Sequence, residues 1–268
     1  MPELVTISIE NHVADVRLNR PEKYNALSPE MFAAIGKAVD ALKKENAVRA
    51  VVLSGEGRGF CAGLDFGRFE QMGERNLEEA GDITDRLPGN ISNWGQYIAY
   101  GWKQLPMPVI AAVHGVAYGG GCQIALGADI RLARPDSKFS VMEIKWGLIP
   151  DMSGSQTLRD LIRIDIAKEL VFTGKIISGE EAAKLGLVTR VCDDPLSEAK
   201  KLASEIAGKN PNAIRAAKKL FNEAWHGDEA KGLLMESQLE KTLISSPNQI
   251  EAVMSNFQNR EPKYKDPE

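Results

Sequence analysis

The 268-residue sequence is poor in the residue types that usually announce a chemistry or a compartment. It has three cysteines, Cys61, Cys122 and Cys192, and three histidines. An odd, sparse cysteine count excludes a disulfide framework and suits a reducing compartment. No Cys-x-x-Cys or His-x-x-x-His pair occurs, so no metal site is expected. Positive charge is not in excess: 33 Lys and Arg stand against 37 Asp and Glu, a net charge of −4. General affinity for nucleic acid is therefore not expected. No apolar run is long enough to span a bilayer, so no membrane partner is expected. Met1-Pro2-Glu3-Leu4 lacks a basic region followed by an apolar stretch, and no signal peptide is expected either. The cytoplasm is the expected location. Ser153 and Ser155 lack a Gly-x-Ser-x-Gly context, which leaves a serine hydrolase without support.

What is present is ordinary in bulk and ordered in pattern. Hydrophobic residues make up 43% and charged residues 26%, as in globular proteins. Residues 5–9 and 13–18 alternate apolar and polar around a short polar link, which predicts a β-hairpin. Ser28-Pro29 opens a helix, with Met31, Ile35, Ala38 and Leu42 at helical spacing. The β-branched run at 48–53 predicts a buried strand. Strand, helix and strand in this order suggest right-handed crossovers on a parallel sheet.

Residues 67–87 are polar, acidic and glycine-containing, and read as a loop or weak helix. Ile91, Trp94, Ile98 and Trp102 mark a helix face. Strands are predicted at 108–113, 130–133, 139–141 and 188–192. Helices are predicted at 119–126, 155–172 and 179–185. Beyond residue 195 strands cease, and 196–208, 211–226, 228–243 and 247–259 read as helices. The chain thus divides into an α/β core over 1–195 and a helical region over 196–268. Such a region either serves assembly, making an oligomer, or covers its own core.

Two glycine-rich turns each follow a buried strand. Gly119-Gly120-Gly121 opens a helix, where N–H groups lack intrahelical partners and the helix dipole favours negative charge. Glycine lets a ligand atom approach the backbone closely. The turn suits an oxyanion or a phosphate; it equally suits a tight turn that needs close packing. The second turn, over 54–65, carries glycines at 55, 57, 59 and 63. In an open parallel sheet, ligands bind beyond the carboxyl ends of the strands, where two such turns converge.

At Gly59-Phe60-Cys61-Ala62-Gly63-Leu64-Asp65 and Tyr118-Gly119-Gly120-Gly121-Cys122-Gln123 the chain resembles the crotonase (enoyl-CoA hydratase/isomerase) family. Asn19-Arg20-Pro21 with Asn25-Ala26-Leu27, the stretch from Pro108 to Gly115, Ala128-Asp129-Ile130-Arg131, Gly147-Leu148-Ile149-Pro150 and Gly186-Leu187-Val188 continue the likeness in order. The resemblance implies an α/β fold, a spiral of ββα units with a C-terminal helical trimerisation region, working as a homo-trimer or dimer of trimers. It implies an acyl-CoA thioester as partner, with coenzyme A entering as part of the substrate and no separate cofactor. The N–H groups of Leu64 and Gly120 would form the oxyanion hole. Coenzyme A would run along Ala62, with adenine near the 60–65 turn that holds Asp65. Lys23 and Arg260 are candidates for its phosphates, and a solvated surface charge is the alternative for each.

Three residues decide the reaction. Hydratases of the family use two glutamates that share a water, and the first falls at Gln123, whose amide cannot take a proton at neutral pH. The second falls at Glu143, among apolar neighbours whose desolvation would raise its pKa. Asp151 matches the aspartate of dienoyl-CoA isomerases, and alternatively caps the following helix. Proton relocation in an enoyl- or dienoyl-CoA therefore ranks before water addition, and a thioester-binding protein without useful chemistry is the third reading. His114 reads as a loop-orienting residue and Cys122 as packing. Trp94, Tyr97 and Trp102 read as core. Acyl specificity lies in 66–104.

Overall fold

The computed structural model describes residues 3–65, 67 and 85–267. The loop or weak helix expected over 67–87 lies for the most part outside the described residues. Strand β1 (Val5–Glu10) pairs antiparallel with β2 (Val13–Leu18). The two residues between them, Asn11 and His12, both have positive φ, 48° and 66°. A left-handed two-residue turn of this kind matches the strand twist and closes the predicted hairpin. Helix α1 (Pro29–Lys43) starts as the sequence indicates: the Ser28 side chain accepts from the Met31 N–H, and Pro29 is the first helical residue.

The parallel part of the sheet follows. Strand β3 (Ala50–Gly55) lies beside β2, and helix α2 (Trp94–Gln104) leads back to β4 (Val109–Val113). Next come β5 (Val116–Tyr118), α3 (Gly120–Leu126), β6 (Ile130–Ala133) and β7 (Lys138–Ser140). A 3-10 turn at Glu143–Trp146 precedes α4 (Gly154–Leu161) and α5 (Ile164–Thr173). After β8 (Ile177–Ser178), α6 (Gly179–Leu185) and β9 (Arg190–Val191) the chain is helical. Helices α7 (Pro195–Ala207), α8 (Pro211–Ala224), α9 (Glu229–Leu243) and α10 (Pro247–Phe257) complete it.

The main sheet has six strands in the order β1-β2-β3-β4-β6-β9, parallel except at β1; β5-β7-β8 form a small second sheet. All residues of β3 and β4 are buried, which both faces of a covered sheet require. One face packs on α1 and α2 through Val51, Leu53, Val109, Ala111, Ile35, Val39 and Trp102. The other, Ala50, Val52, Ile110, Ala112 and Leu132, is covered by Ala199 and Ala203 of α7. Helix α9 packs against α8 and has no buried residue. Lys218 of α8 ties this arm to the core: it is 6% exposed and reaches Asp129 at 2.7 Å and the Met107 carbonyl at 2.9 Å.

Two sequence expectations are corrected. The single helix at 155–172 is two helices, because Ile162 turns extended (φ −138°, ψ 162°) to bury its side chain, and Arg163 restarts the chain. Strands β5 and β8 escaped the pattern because runs of three and two residues carry too little alternation. The helix starts at 195, 211 and 247 fall where Pro follows Asp194, Asn210 and Ser246, each an N-cap whose side chain accepts a backbone N–H.

Candidate active site

The first turn is held by a residue that sequence reasoning passed over as part of a motif. Asn25 is fully buried, at φ 57°, a conformation asparagine tolerates better than most. Its Nδ2 lies 3.0, 2.9 and 3.1 Å from the carbonyls of Glu56, Gly59 and Phe60, and its Oδ1 accepts from the Arg20 N–H at 2.8 Å. Phe60, Cys61 and Ala62 donate their N–H groups to the carbonyls of His114, Val116 and Tyr24. Asn25→Ala strands these carbonyls and strains the turn. We expect a loss of about 1–3 kcal/mol in denaturant unfolding, with activity falling alongside.

Leu27 and Leu64 form a parallel bridge in which Leu27 donates to the Gly63 carbonyl (2.8 Å) and Asp65 donates to the Leu27 carbonyl (3.2 Å). The Leu64 N–H between them has no backbone partner among the described residues. Gly119 sits at φ 50°, ψ −122°, a glycine conformation, and donates to the Ser140 carbonyl at 2.9 Å. Gly120 is the first residue of α3, and its N–H is likewise without a backbone partner among the described residues. The two turns touch: a Cβ on Gly63 would lie 2.7 Å from the Tyr118 carbonyl oxygen and 3.7 Å from the Gly120 nitrogen. Two unspent N–H groups from separate turns thus sit side by side, the requirement for holding an oxyanion.

The side chains of Gln123 and Glu143 lie next to them. Gln123, one turn into α3, has no exposure; its Nε2 donates to Glu143 Oε1 at 2.6 Å and its Oε1 accepts from the Gly154 N–H at 2.9 Å. Glu143 is 8% exposed, and its Oε2 is buried with no hydrogen-bond partner. Burial raises its pKa, with its own backbone N–H and the Gln123 donor opposing the rise and the nearby Asp151 charge adding to it. Gly119 backs the carboxylate, since a Cβ there would lie 3.5 Å from Oε1.

Asp151 lies on the solvent side of this group, and its carboxyl is raised by desolvation. It does not cap the following helix: Ser153 is the N-cap of α4, its own side chain makes no cap bond, and the first N–H of the helix, that of Gly154, goes to Gln123. The capping alternative for Asp151 is therefore withdrawn, because the turn places it two residues too early.

The remaining candidates are spread out. Ala62 lies half-buried in the first turn. The Asp65 carboxylate is taken by Arg20 at 2.7 Å, a bond that depresses its pKa, with exposed Lys23 adding a weaker pull. Arg260 is placed elsewhere. It follows α10 and is committed to Glu251 through two contacts, 2.5 and 2.8 Å. That segment docks through Tyr264 and Asp266 on Arg49, at the opposite end of β3 from the site. His114 Nε2 donates to the Gly57 carbonyl, 2.9 Å away, orienting the loop. The buried thiols are quiet: burial pushes Cys61 up to about 12 and Cys122 higher still. No cluster able to hold a metal ion occurs among the described residues.

The Enoyl-CoA hydratase/isomerase family model matches residues 8–267. The chain belongs to the enoyl-CoA hydratase/isomerase family. It is 33% identical over 255 residues to the mitochondrial methylglutaconyl-CoA hydratase of Mus musculus, covering 92% of this chain and 78% of that one. It is 30% identical over 259 residues to the short-chain-enoyl-CoA hydratase of Clostridium acetobutylicum, covering 96% and 95%. The crystal structure of an enoyl-CoA hydratase from Bacillus anthracis superposes with a TM-score of 0.88 at 30% identity, over 98% of this chain and 99% of that one. The crotonase-type fold is therefore that of this family, and no helix among the described residues is long and apolar enough to cross a membrane.

Proposed function

We propose that this family member relocates a double bond in an enoyl-CoA thioester. The thioester oxygen rests between the N–H groups of Leu64 and Gly120. Glu143 takes a proton from the α carbon of a 3-enoyl-CoA. The C–H electron pair enters the conjugated system and charge develops on the thioester oxygen. Glu143 then returns the proton at the γ carbon, leaving the double bond between the α and β carbons. The steps need neither water nor an added cofactor. Asp151, also raised, extends the proton path when the substrate is a 3,5-dienoyl-CoA. Lys23, with the turn holding Ala62 and Asp65, lies on the side assigned to the coenzyme A moiety.

The observation that carries this reading is the amide at residue 123. It is the hydrogen-bond partner of Glu143, and it cannot act as a second base. A second reading, water addition to a 2-enoyl-CoA, is favoured by the names of the relatives, which are hydratases. In it Gln123 orients the water and Glu143 alone moves the protons. Steady-state rates on paired 3-enoyl- and 2-enoyl-CoA substrates decide between them. Faster isomerisation than hydration is expected. The reverse order overturns the proposal, and tight binding without turnover of either indicates a binding protein. Gln123→Glu supplies the second carboxylate and is expected to raise hydration about tenfold or more relative to isomerisation.

The proposal extends to assembly as a homo-trimer or dimer of trimers. Its support is the apolar surface that α8, α9 and α10 leave in the open: Phe221, Trp225, Leu233, Leu234, Met254 and Phe257 are all exposed.

A further inference from the structure

We propose that Ser153 and Gly154 are positioning residues that select which oxygen of Glu143 exchanges the proton. The inference rests on Glu143 being the acid–base group of the proposed reaction. Ser153 has φ 69° and ψ 9°, the left-handed region, without being glycine. As the N-cap of α4 its hydroxyl would ordinarily accept a backbone N–H, yet it makes no cap bond, and its Oγ is buried without a partner. Capping therefore does not explain the conformation.

The conformation does set the direction of the next N–H. Gly154 donates to Gln123 Oε1 at 2.9 Å. A backbone N–H can only donate, so the oxygen end of the amide must face it and the nitrogen end must face Glu143. In the flipped amide, Oε1 would meet a carboxylate and Nε2 would meet an N–H. The lock is tight: a Cβ on Gly154 would lie 2.8 Å from Gln123 Oε1 and 2.8 Å from Pro150 Cβ. With the amide fixed, Nε2 occupies Glu143 Oε1 at 2.6 Å, and Oε2 is the oxygen left unbonded. The charged group acting on Glu143 is Asp151; the neighbouring Cys122 thiol on α3 is held neutral by burial. Loss of the Gln123 donor removes one of the two hydrogen bonds that oppose burial at Glu143, the other being from its own backbone N–H.

The test reads the carboxyl directly. Infrared difference spectra across a pH titration give the protonation of Glu143, its band assigned by disappearance in Glu143→Gln. Ser153→Val, whose β-branch resists the left-handed region, is expected to raise the Glu143 pKa by about one unit. With whichever enoyl-CoA the protein turns over, kcat is expected to fall about tenfold at unchanged KM. Ser153→Gly keeps the turn and is the rescue arm, restoring the wild-type carboxyl pKa. A folded Ser153→Val protein with the wild-type pKa overturns the proposal. So does Ser153→Gly shifting the pKa as far as Ser153→Val, which would assign the effect to the hydroxyl. Where Ser153→Val does not fold, Gly154→Ala presses on the same amide oxygen: a raised pKa supports the relay, and an unchanged one overturns it. A wild-type protein that isomerises nothing sinks the functional proposal but leaves the infrared readout of the relay intact.

Discussion

Glu143→Gln is expected to lower kcat by roughly a hundred- to ten-thousand-fold, while the protein becomes more stable at neutral pH. The activity loss follows from chemistry. The amide has nearly the same shape as the carboxylate, and it cannot accept a proton. Thioester binding rests on backbone groups and survives, so KM or an inhibitor constant is expected to change little. The stability gain follows from linkage. The folded-state pKa of Glu143 is raised by burial, so the folded protein binds the proton more tightly than the unfolded chain. Its favourable contribution is complete below the unfolded pKa of about 4.3 and is lost as pH rises through the folded value. At neutral pH an ionised carboxylate sits in a site with one side-chain donor and an unpartnered Oε2. A neutral amide avoids that cost. Thermal unfolding at several pH values checks the sign: the variant should exceed wild type at pH 7 and lose its advantage near pH 4. Full activity in Glu143→Gln sinks the role assigned to it. In wild type the same raised pKa places the acid limb of the kcat profile above the ordinary glutamate range, with activity rising as Glu143 ionises.

Gly63→Ala should cost roughly a hundred- to a thousand-fold in kcat, with the fold retained by circular dichroism. Two effects coincide there. Gly63 has φ 84°, which an alanine adopts only with strain, and its Cβ would lie 2.7 Å from a backbone oxygen, that of Tyr118. Backbone cannot rotate aside like a flexible side chain, so the two turns must separate. The Leu64 and Gly120 N–H groups then no longer address one oxygen. Gly89→Ala is the control: it is also at positive φ, 70°, and a Cβ there meets nothing within 4 Å. Some strain without loss of turnover is expected for it. Equal losses in the two variants would show that strain, and not the spacing of the turns, governs the rate.

Local signals made most of the fold legible. Asn11-His12 between alternating runs, Ser28-Pro29, and the prolines at 195, 211 and 247 each fix their own backbone within a few residues. The break at Ile162 and the strands β5 and β8 were not legible, because long-range packing creates them. The site divides in the same way. Glycine-rich turns after buried strands mark the two loops by composition, and resemblance marks Leu64, Gly120, Gln123 and Glu143 within and beside them. The 2.6 Å bond between those two side chains joins α3 to a 3-10 turn twenty residues on, which no spacing rule encodes. Ser153 is the sharpest case: its backbone is left-handed with no glycine to announce it. Arg260 is the opposite case. Its charge is plain in the sequence, and its commitment to Glu251 is visible only in three dimensions.

The stitching of the two turns also bears on how the protein comes to be active. Leu27 is joined to Leu64, Cys61 to Ala117, and Gly119 to Ser140. Each link closes a loop of about twenty residues or more, so its ordering entropy is spent before any local contact compensates it. The pocket between the two turns thus has no nucleus of its own. It depends on the surrounding sheet, so loss of activity on heating is expected to track loss of the core.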